Sequence, residues 1–279
     1  MKFNGIRDDI TRGKRITQTG CKFTWTDAAT VTLSPNGFDG KAQLITSGTF
    51  ASTTNTVRPL TLTGSLTCAL STDGGGGLDT GSEASNKGYY IFAIAKDATP
   101  WSDPLLLCSL SSTAPTMPAG YTYRSDPIWF ISNNGSGDIR KFIDVNGTCY
   151  YNKTGNTTVV AQGLAYSDWQ VIDCSIIIPN NSIVNMYGYA RARNTSGAWN
   201  SIRWHVNDSD TNTGTWRTLS FHNVHRVVNA SPGVHLGWKF PMVNAATGFY
   251  YKWNANPGST SGTSYPPNFY VWCRGWSLL

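Results

Sequence analysis

Apolar and polar residues alternate along much of the chain with a period of two, which is typical of strands that bury one face. The segment KFTWTDAATVTLS alternates in this way and ends at Pro35-Asn36-Gly37. Because Asn-Gly tolerates the positive φ angles of tight turns, we predict a hairpin at this point. Thr and Leu continue to alternate from Ser52 to Leu70, which predicts a further half-buried sheet region.

Two continuous apolar runs follow, YYIFAIAKD from Tyr89 and PLLLCSLS around Cys108. Runs of this kind are typical of strands buried on both faces. The segment SSTAPTMPAGYTY contains two prolines and a glycine, and it predicts a loop. RKFIDV and TCYYNK flank Asn146-Gly147, which predicts a second hairpin.

The sequence is polar and rich in turn residues between Gly155 and Ser167, where we place a domain boundary. Short strand-like pieces separated by Asn, Gly, Pro and Ser turns lie beyond it: WQVIDCSIII, IVNMYGYARA, WNSIRWHV, TWRTLSFH, VHLGWKF, GFYYKW and NFYVWCRGW. This spacing predicts an antiparallel β-sandwich or jelly roll. We therefore predict a basic arm (1–22), a β-rich module (23–155) and a C-terminal β-sandwich (164–279).

Composition supports an all-β protein with little helix. Glu83 is the only glutamate, whereas Thr, Asn, Tyr and Trp are abundant. Helices normally carry Glu, Lys, Ala and Leu on their outer faces, and β-branched and aromatic residues favour strands.

Motifs for catalysis or metal binding are sparse. The chain has no G-x-S-x-G and no H-E-x-x-H motif. NDSDTNTG resembles a calcium loop, but Thr213 and Leu219 stand where an EF-hand needs Gly and Glu. Glycoside hydrolysis needs two carboxyl groups that flank the bond to be cleaved. If the chain has such a pair, Asp208 and Asp210 are the simplest candidates. We predict a protein that is not an enzyme and that holds no cofactor or metal.

The net charge of +6 is concentrated at the N-terminus, where residues 1–22 carry +4. Such an arm could bind nucleic acid or an acidic protein surface, or remain solvated until it docks. No apolar stretch has the length of a secretory signal or a membrane span. We expect docking to other proteins, with neither nucleic acid binding nor membrane insertion. The candidate docking residues are Arg7, Arg12, Lys14 and Arg15.

Six cysteines lie far apart and never approach C-x-x-C spacing, so no zinc site is indicated. Most lie in apolar, strand-like segments, which predicts buried reduced thiols instead of a disulfide framework.

The glycine tract, residues 74–77, raises the possibility of a phosphate cradle. A P-loop needs a following Lys-Ser or Lys-Thr pair and a helix, whereas a strand is predicted here. We interpret the tract as a joint whose backbone freedom lets a turn close at Leu78-Asp79-Thr80-Gly81 before the strand begins at Tyr89.

Aromatic residues crowd the second half of the chain. Most Trp side chains of a sandwich fill its core, but exposed Trp and Tyr stack on sugars and dominate interface hot spots. The polar segment 254–268 is the predicted contact loop. The candidate contact residues are Trp199, Trp216, Trp253 and Tyr265.

Residues 74–142 resemble a module of bacteriophage tail-fibre and related virion-surface proteins. The resemblance rests on GGLDTGSEASNKGYYIFAIAKD, on LLLCSLSSTAPTMPAGYTY and on a run ending near IRKF. Arg124-Ser125-Asp126 departs from the module, in which paired arginines follow Gly-Tyr-Thr. The resemblance covers about a quarter of the chain.

The resemblance implies a virion structural protein, as a tail fibre, head fibre or capsid decoration, assembled in the host cytoplasm and displayed on the particle as a homotrimer. Its N-terminus would attach to capsid or tail proteins, and its C-terminal loops would contact a host glycan or protein. The alternative is an enzyme that degrades host polysaccharide, or a lectin-like carbohydrate-binding module.

Overall fold

The computed structural model describes residues 18–37, 41–48, 56–96, 103–152, 159–163, 170–191, 202–206, 234–242, 249–253 and 268–278. Within these ranges every helix-or-strand element is a β-strand. The strands are β1 (Gln18–Thr19), β2 (Cys21–Trp25), β3 (Thr30–Pro35), β4 (Ala42–Gly48), β5 (Thr56–Leu62), β6 (Leu66–Ala69), β7 (Gly88–Lys96), β8 (Leu105–Ser109), β9 (Tyr121–Arg124), β10 (Trp129–Ser132), β11 (Phe142–Val145), β12 (Thr148–Tyr151), β13 (Val159–Gly163), β14 (Gln170–Ile172), β15 (Ser182–Arg191), β16 (Ile202–Val206), β17 (Val234–Met242), β18 (Phe249–Trp253) and β19 (Asn268–Leu278).

The predicted all-β, antiparallel class is confirmed, because the paired strands run antiparallel in each sheet. The chain divides into two compact units. Unit 1 comprises residues 1–152 with 278–279, and unit 2 comprises residues 153–277.

Unit 1 contains two sheets that pack face to face. In the first sheet, β4 pairs with β1, β5 and β9, and β7 pairs with β8, β9 and β10. The second sheet has the order β12-β11-β2-β3-β6. Phe23 of the second sheet stacks on Trp129 of the first with ring centroids 4.9 Å apart, and Phe142 lies 5.6 Å from the same indole. These aromatic contacts between the sheets form the centre of a β-sandwich core.

Strand β7 is the buried central strand that the YYIFAIAKD run predicts. Its residues from Tyr89 to Ala95 are all buried, so both faces of the strand are covered. Strand β8, from the PLLLCSLS run, is buried from Leu106 to Ser109 and pairs with β7. Burial on both faces therefore accounts for the continuous apolar sequence of both strands.

The two Asn-Gly pairs behave differently. Asn146 and Gly147 adopt positive φ angles of 53° and 76° and connect β11 to β12, so the predicted hairpin is confirmed there. The hairpin predicted at Asn36-Gly37 is wrong. Strand β3 pairs with β2 and β6, and β4 belongs to the other sheet, so the chain crosses between sheets after Gly37.

The end of the predicted arm is also corrected. Residues 18–19 pair with β4, and Lys22 lies within β2, where it pairs with Ser34. The last residues of the 1–22 segment are therefore part of the sandwich, and residues 1–17 lie outside the described ranges.

Unit 2 contains two groups of strands. Strand β15 pairs with β17 over nine residues and also neighbours β19, which in turn pairs with β13. Strand β18 lies between β14 and β16. The strand-like segment WQVIDCSIII forms a strand at Gln170–Ile172 and not beyond it, because the amides of Ile177 and Ile178 both donate to the Cys174 carbonyl and form a turn.

The prediction of reduced thiols is wrong for one pair of cysteines. Cys68 of β6 and Cys108 of β8 form a disulfide between the two sheets of unit 1. Cys149, Cys174 and Cys273 are buried, as predicted. Burial raises the pKa of the Cys273 thiol to about 12 and raises that of Cys174 as well.

Candidate functional surface

The glycine tract lies between β6 and β8 and is hydrogen-bonded to both. The Gly76 amide donates to the Leu106 carbonyl, and the Gly76 carbonyl accepts from the Ala69 amide, both at 2.8 Å. The Gly77 carbonyl accepts from the Cys108 amide at 2.8 Å. The tract therefore fills the seam between the sheets as a fixed connection.

Glycine is required in this tract for two separate reasons. Gly74 and Gly76 adopt φ angles of 81° and 85°, which other residues rarely adopt. A Cβ atom at Gly77 would collide with the Thr72 carbonyl oxygen, whereas one at Gly75 would meet only the end of the Leu105 side chain, which can move aside. The amides of Gly74, Gly76 and Gly77 all donate to protein carbonyls, so they are not presented to a phosphate.

Asp79, which follows the tract, connects three segments of the resemblance. One carboxylate oxygen, Oδ2, accepts from the Ser109 hydroxyl at 2.8 Å and from the Thr116 amide at 2.9 Å. The Asp79 amide donates to the Cys108 carbonyl. This residue thus joins the turn after the glycine tract to the end of β8 and to the loop that follows β8.

That loop, residues 110–120, is held in place by side chains from its own base; we call it the proline loop. The Ser111 hydroxyl accepts from the Ala114 amide at 2.9 Å, and Arg124 donates from Nη2 to the Thr113 carbonyl at 2.7 Å. Pro115 is buried, whereas Leu110 is 56% exposed. The loop is therefore a pre-ordered surface segment, despite its lack of regular secondary structure.

Arg124 connects the proline loop to the buried strand β7. Its guanidinium lies 5.7 Å from the centre of the Phe92 ring. Burial lowers the pKa of Arg124, but an arginine retains its charge at physiological pH. The single arginine that follows Gly-Tyr-Thr therefore holds the proline loop in position. Its charge strengthens the hydrogen bond to the Thr113 carbonyl.

The only glutamate of the chain takes part in a buried network. Asn133 is fully buried, and its Nδ2 donates to Glu83 Oε1 at 3.1 Å and to the Ala84 carbonyl at 2.8 Å. Asn133 Oδ1 accepts from the Lys87 amide at 2.7 Å. The Tyr89 hydroxyl bonds to both backbone groups of Ala84. Together these bonds fix the turn that leads into β7.

Asp144 is a buried carboxylate with a comparable anchoring role. Its Oδ2 accepts from the Phe23 amide at 2.8 Å, and its Oδ1 accepts from the Gly147 amide at 2.9 Å. Burial raises the pKa of Asp144, and the two amide hydrogen bonds oppose that increase. The same environment raises the pKa of Cys21 to about 12, mainly through burial and secondly through the Asp144 charge.

The outer side of the β11–β12 hairpin is apolar. Ile143 is 59% exposed, Val145 50% and Tyr150 40%, and Ile143 lies directly opposite Tyr150 in the ladder. Their neighbours Phe142, Asp144 and Cys149 point to the buried side. We call the three exposed side chains the hairpin face. Sequence reasoning did not single it out, although FIDV places apolar residues on both sides of one strand.

Most of the residues proposed from the sequence lie outside the described ranges. Trp253 is the exception, since it is the last residue of β18 and pairs with Ile202. Outside the described ranges lie the docking residues Arg7, Arg12, Lys14 and Arg15, the contact residues Trp199, Trp216 and Tyr265, and the carboxylates Asp208 and Asp210.

Among the described residues, no group of three or more His, Cys, Asp or Glu side chains could hold a metal ion. No helix in the described part of the chain is long and apolar enough to cross a membrane. No family model, curated protein or solved structure matches the chain.

Proposed function

We propose that the chain is a structural protein of a bacteriophage particle, serving as a tail fibre, head fibre or other surface appendage. Residues 1–17 attach it to capsid or tail proteins, and its C-terminal loops contact a glycan or protein of the host surface. It forms a homotrimer and performs no catalysis. Its place is the virion, after assembly in the host cytoplasm.

The observation that carries this proposal is the convergence of the resembling segments on Asp79. The LDTGS turn, the end of β8 and the proline loop are separated in sequence but share hydrogen bonds at one carboxylate. The motif residues thus have a joint structural task, which is to hold an exposed loop on a buried sheet. Such a task suits a display scaffold, where binding loops are carried on rigid strands.

The use of acidic side chains in unit 1 also supports a scaffold. Asp79 and Asp144 accept backbone amides, and Glu83 accepts from a buried asparagine. A carboxylate that is occupied in this way positions the chain, and a hydrolase would instead need a pair of carboxyl groups facing a bond.

The docking role of the N-terminal arm is tested by deleting residues 1–17, which spares β1 and β2. The proposal expects the truncated protein to fold and to be absent from purified particles. A matched pair of variants sharpens the test: in one, Arg7, Arg12, Lys14 and Arg15 are replaced together by Glu, and in the other the three arginines are replaced by Lys, which keeps the charge. The Glu variant should fail to incorporate and the Lys variant should incorporate. Normal amounts of the truncated protein in particles would refute the docking role.

The host-contact role is tested with Trp253→Ala and Tyr265→Ala. Each variant should weaken adsorption of particles to cells while leaving the melting temperature of the protein unchanged. Normal adsorption by both variants would remove the C-terminal region from the proposal.

The alternative functions are separated by incubating the purified protein with host envelope polysaccharide. The proposal expects no release of reducing ends. Reducing ends liberated by the protein alone would establish the polysaccharide-degrading alternative. Saturable binding of free glycan without release is compatible with both the virion proposal and the lectin-like module, and presence of the chain in purified particles then distinguishes these two.

A further inference from the structure

Cys68 and Cys108 join the two sheets of unit 1 at the seam that the glycine tract fills. Cys68 lies in β6 of one sheet, and Cys108 lies in β8 of the other. Both side chains are fully buried. The bond closes a segment of the chain whose ends are 40 residues apart in sequence, and this segment includes the glycine tract and the central strand β7.

The surroundings of this pair suit both oxidation states. Backbone hydrogen bonds already join each strand to the glycine tract, through Gly76 to Ala69 and through Gly77 to Cys108. Cys68 Sγ lies 3.5 Å from the Gly77 carbonyl oxygen, so a reduced thiol there has an acceptor. The fold of the seam is therefore held without the sulfur–sulfur bond, and the bond adds a constraint to a structure that already exists.

We propose that Cys68 and Cys108 form a redox latch: unit 1 folds with both thiols reduced and is locked by disulfide formation when the protein meets an oxidising environment. This latch is a property of unit 1 and does not depend on the proposed virion function. Reducing conditions prevail inside cells and oxidising conditions outside them, so the pair would stay reduced in the first environment and form the disulfide in the second.

The oxidant that we propose is a low-molecular-weight disulfide such as glutathione disulfide. One cysteine thiolate attacks a sulfur of this molecule and expels one small thiolate, which leaves a mixed disulfide. The second cysteine thiolate then attacks the protein sulfur of the mixed disulfide and expels the other small thiolate. The two cysteines lose two protons and two electrons in total, and the small disulfide is reduced to two thiols.

Burial controls the rate of this exchange. Neither sulfur is exposed, so a small disulfide or reductant reaches the pair only when the glycine tract opens. Once formed, the bond is protected by the same closure, and we expect reduction of the native protein to be about a hundredfold or more slower than reduction of the unfolded protein. Closing a segment of this length should raise the melting temperature by about 8 to 16 °C.

The test counts reactive thiols in the purified full-length protein. The protein is treated with glutathione disulfide or with a strong reductant, unfolded, alkylated and measured by mass spectrometry, and the melting temperature is recorded in parallel. We expect the oxidised protein to lose two alkylatable cysteines, to yield a linked peptide containing Cys68 and Cys108, and to melt at the higher temperature.

Two variants make the result specific. Cys68→Ala combined with Cys108→Ala should melt at a temperature that no longer depends on the redox buffer, whereas Cys21→Ser, a cysteine outside the pair, should keep the full redox shift. The proposal is overturned if all six cysteines of the unfolded, oxidant-treated protein alkylate. It is equally overturned if the linked peptide forms without any change in melting temperature or in native reduction rate.

Discussion

The glycine tract and the β11–β12 hairpin are two connections within unit 1 that differ in almost every respect. The tract is irregular, yet its backbone groups bond to strands of both sheets and it lies among buried residues. The hairpin is regular, and it leaves three apolar side chains exposed on one side. Regular structure and structural importance are therefore not the same in this molecule: the irregular tract is bonded into the core, and the regular hairpin carries an exposed apolar face.

The largest expected effect on the free energy of unfolding is the difference between the buried and the exposed side of the β11–β12 hairpin. Phe142→Ala removes a buried ring packed near Trp129, and it should lower the free energy of unfolding by about 3 to 5 kcal/mol. Ile143→Ala, one residue further on the exposed side, should change it by less than about 0.5 kcal/mol. Chemical denaturation of both variants measures the difference, and equal losses would show that the hairpin face is covered.

The glycine tract should be nearly as sensitive. Gly77→Ala places a methyl group against the Thr72 carbonyl oxygen, and the backbone must shift to relieve the collision. We expect a loss of about 2 to 4 kcal/mol. Gly64→Ala is the matched control, because a Cβ there meets open space. If Gly77→Ala were as stable as Gly64→Ala, the tract would be a loose joint after all.

Asp79→Ala should have an intermediate effect. It removes the acceptor of Ser109 and Thr116, and we expect a loss of about 1 to 3 kcal/mol. Amide hydrogen exchange should also rise in the proline loop while β7 stays protected. The exposed Asp73 provides the control, since Asp73→Ala should leave both measurements unchanged. Unchanged exchange in the Asp79 variant would contradict its role as the anchor of the loop.

The smallest effect is the pH dependence that Asp144 contributes. Its pKa is raised above the ordinary value of 3.8 in the folded protein, so the folded state binds this proton more tightly than the unfolded state. The resulting stability is fully present below pH 3.8 and is lost as the pH rises through the raised pKa.

Comparison with Asp144→Asn isolates this contribution. The free energy of unfolding of the natural protein minus that of the variant should be larger at about pH 3 than at about pH 7. A difference that grows with pH would mean that the hydrogen bonds from the Phe23 and Gly147 amides lower the pKa of Asp144 more than burial raises it.

Local patterns predicted the strands of unit 1 well because each strand obeys a local rule. YYIFAIAKD is apolar throughout because β7 is buried on both faces, and Asn146-Gly147 forms a hairpin because both residues adopt positive φ. At Asn36-Gly37 the same pair of residues is followed by a change of sheet. Which strand accepts the next segment depends on packing between distant residues, and a local turn motif does not encode it.

The site residues show the same limit. The loop SSTAPTMPAGYTY was predicted from its prolines and glycine, but its attachment to Asp79 spans 37 residues of sequence. The cysteine pair was missed for a similar reason, since Cys68 and Cys108 meet only when the two sheets stack. Composition correctly indicated buried cysteines, and it held no information about which two would be neighbours.

The most direct test of the proposed function is to locate the chain in an intact particle. If the proposal is right, a bacteriophage carries the chain on its particles, and such particles are purified and imaged by electron cryo-microscopy while quantitative mass spectrometry measures the copy number of the chain. We predict density for the two units in an external appendage, with copies in multiples of three. Absence of the chain from purified particles, or its presence only in the infected cell, would contradict the account.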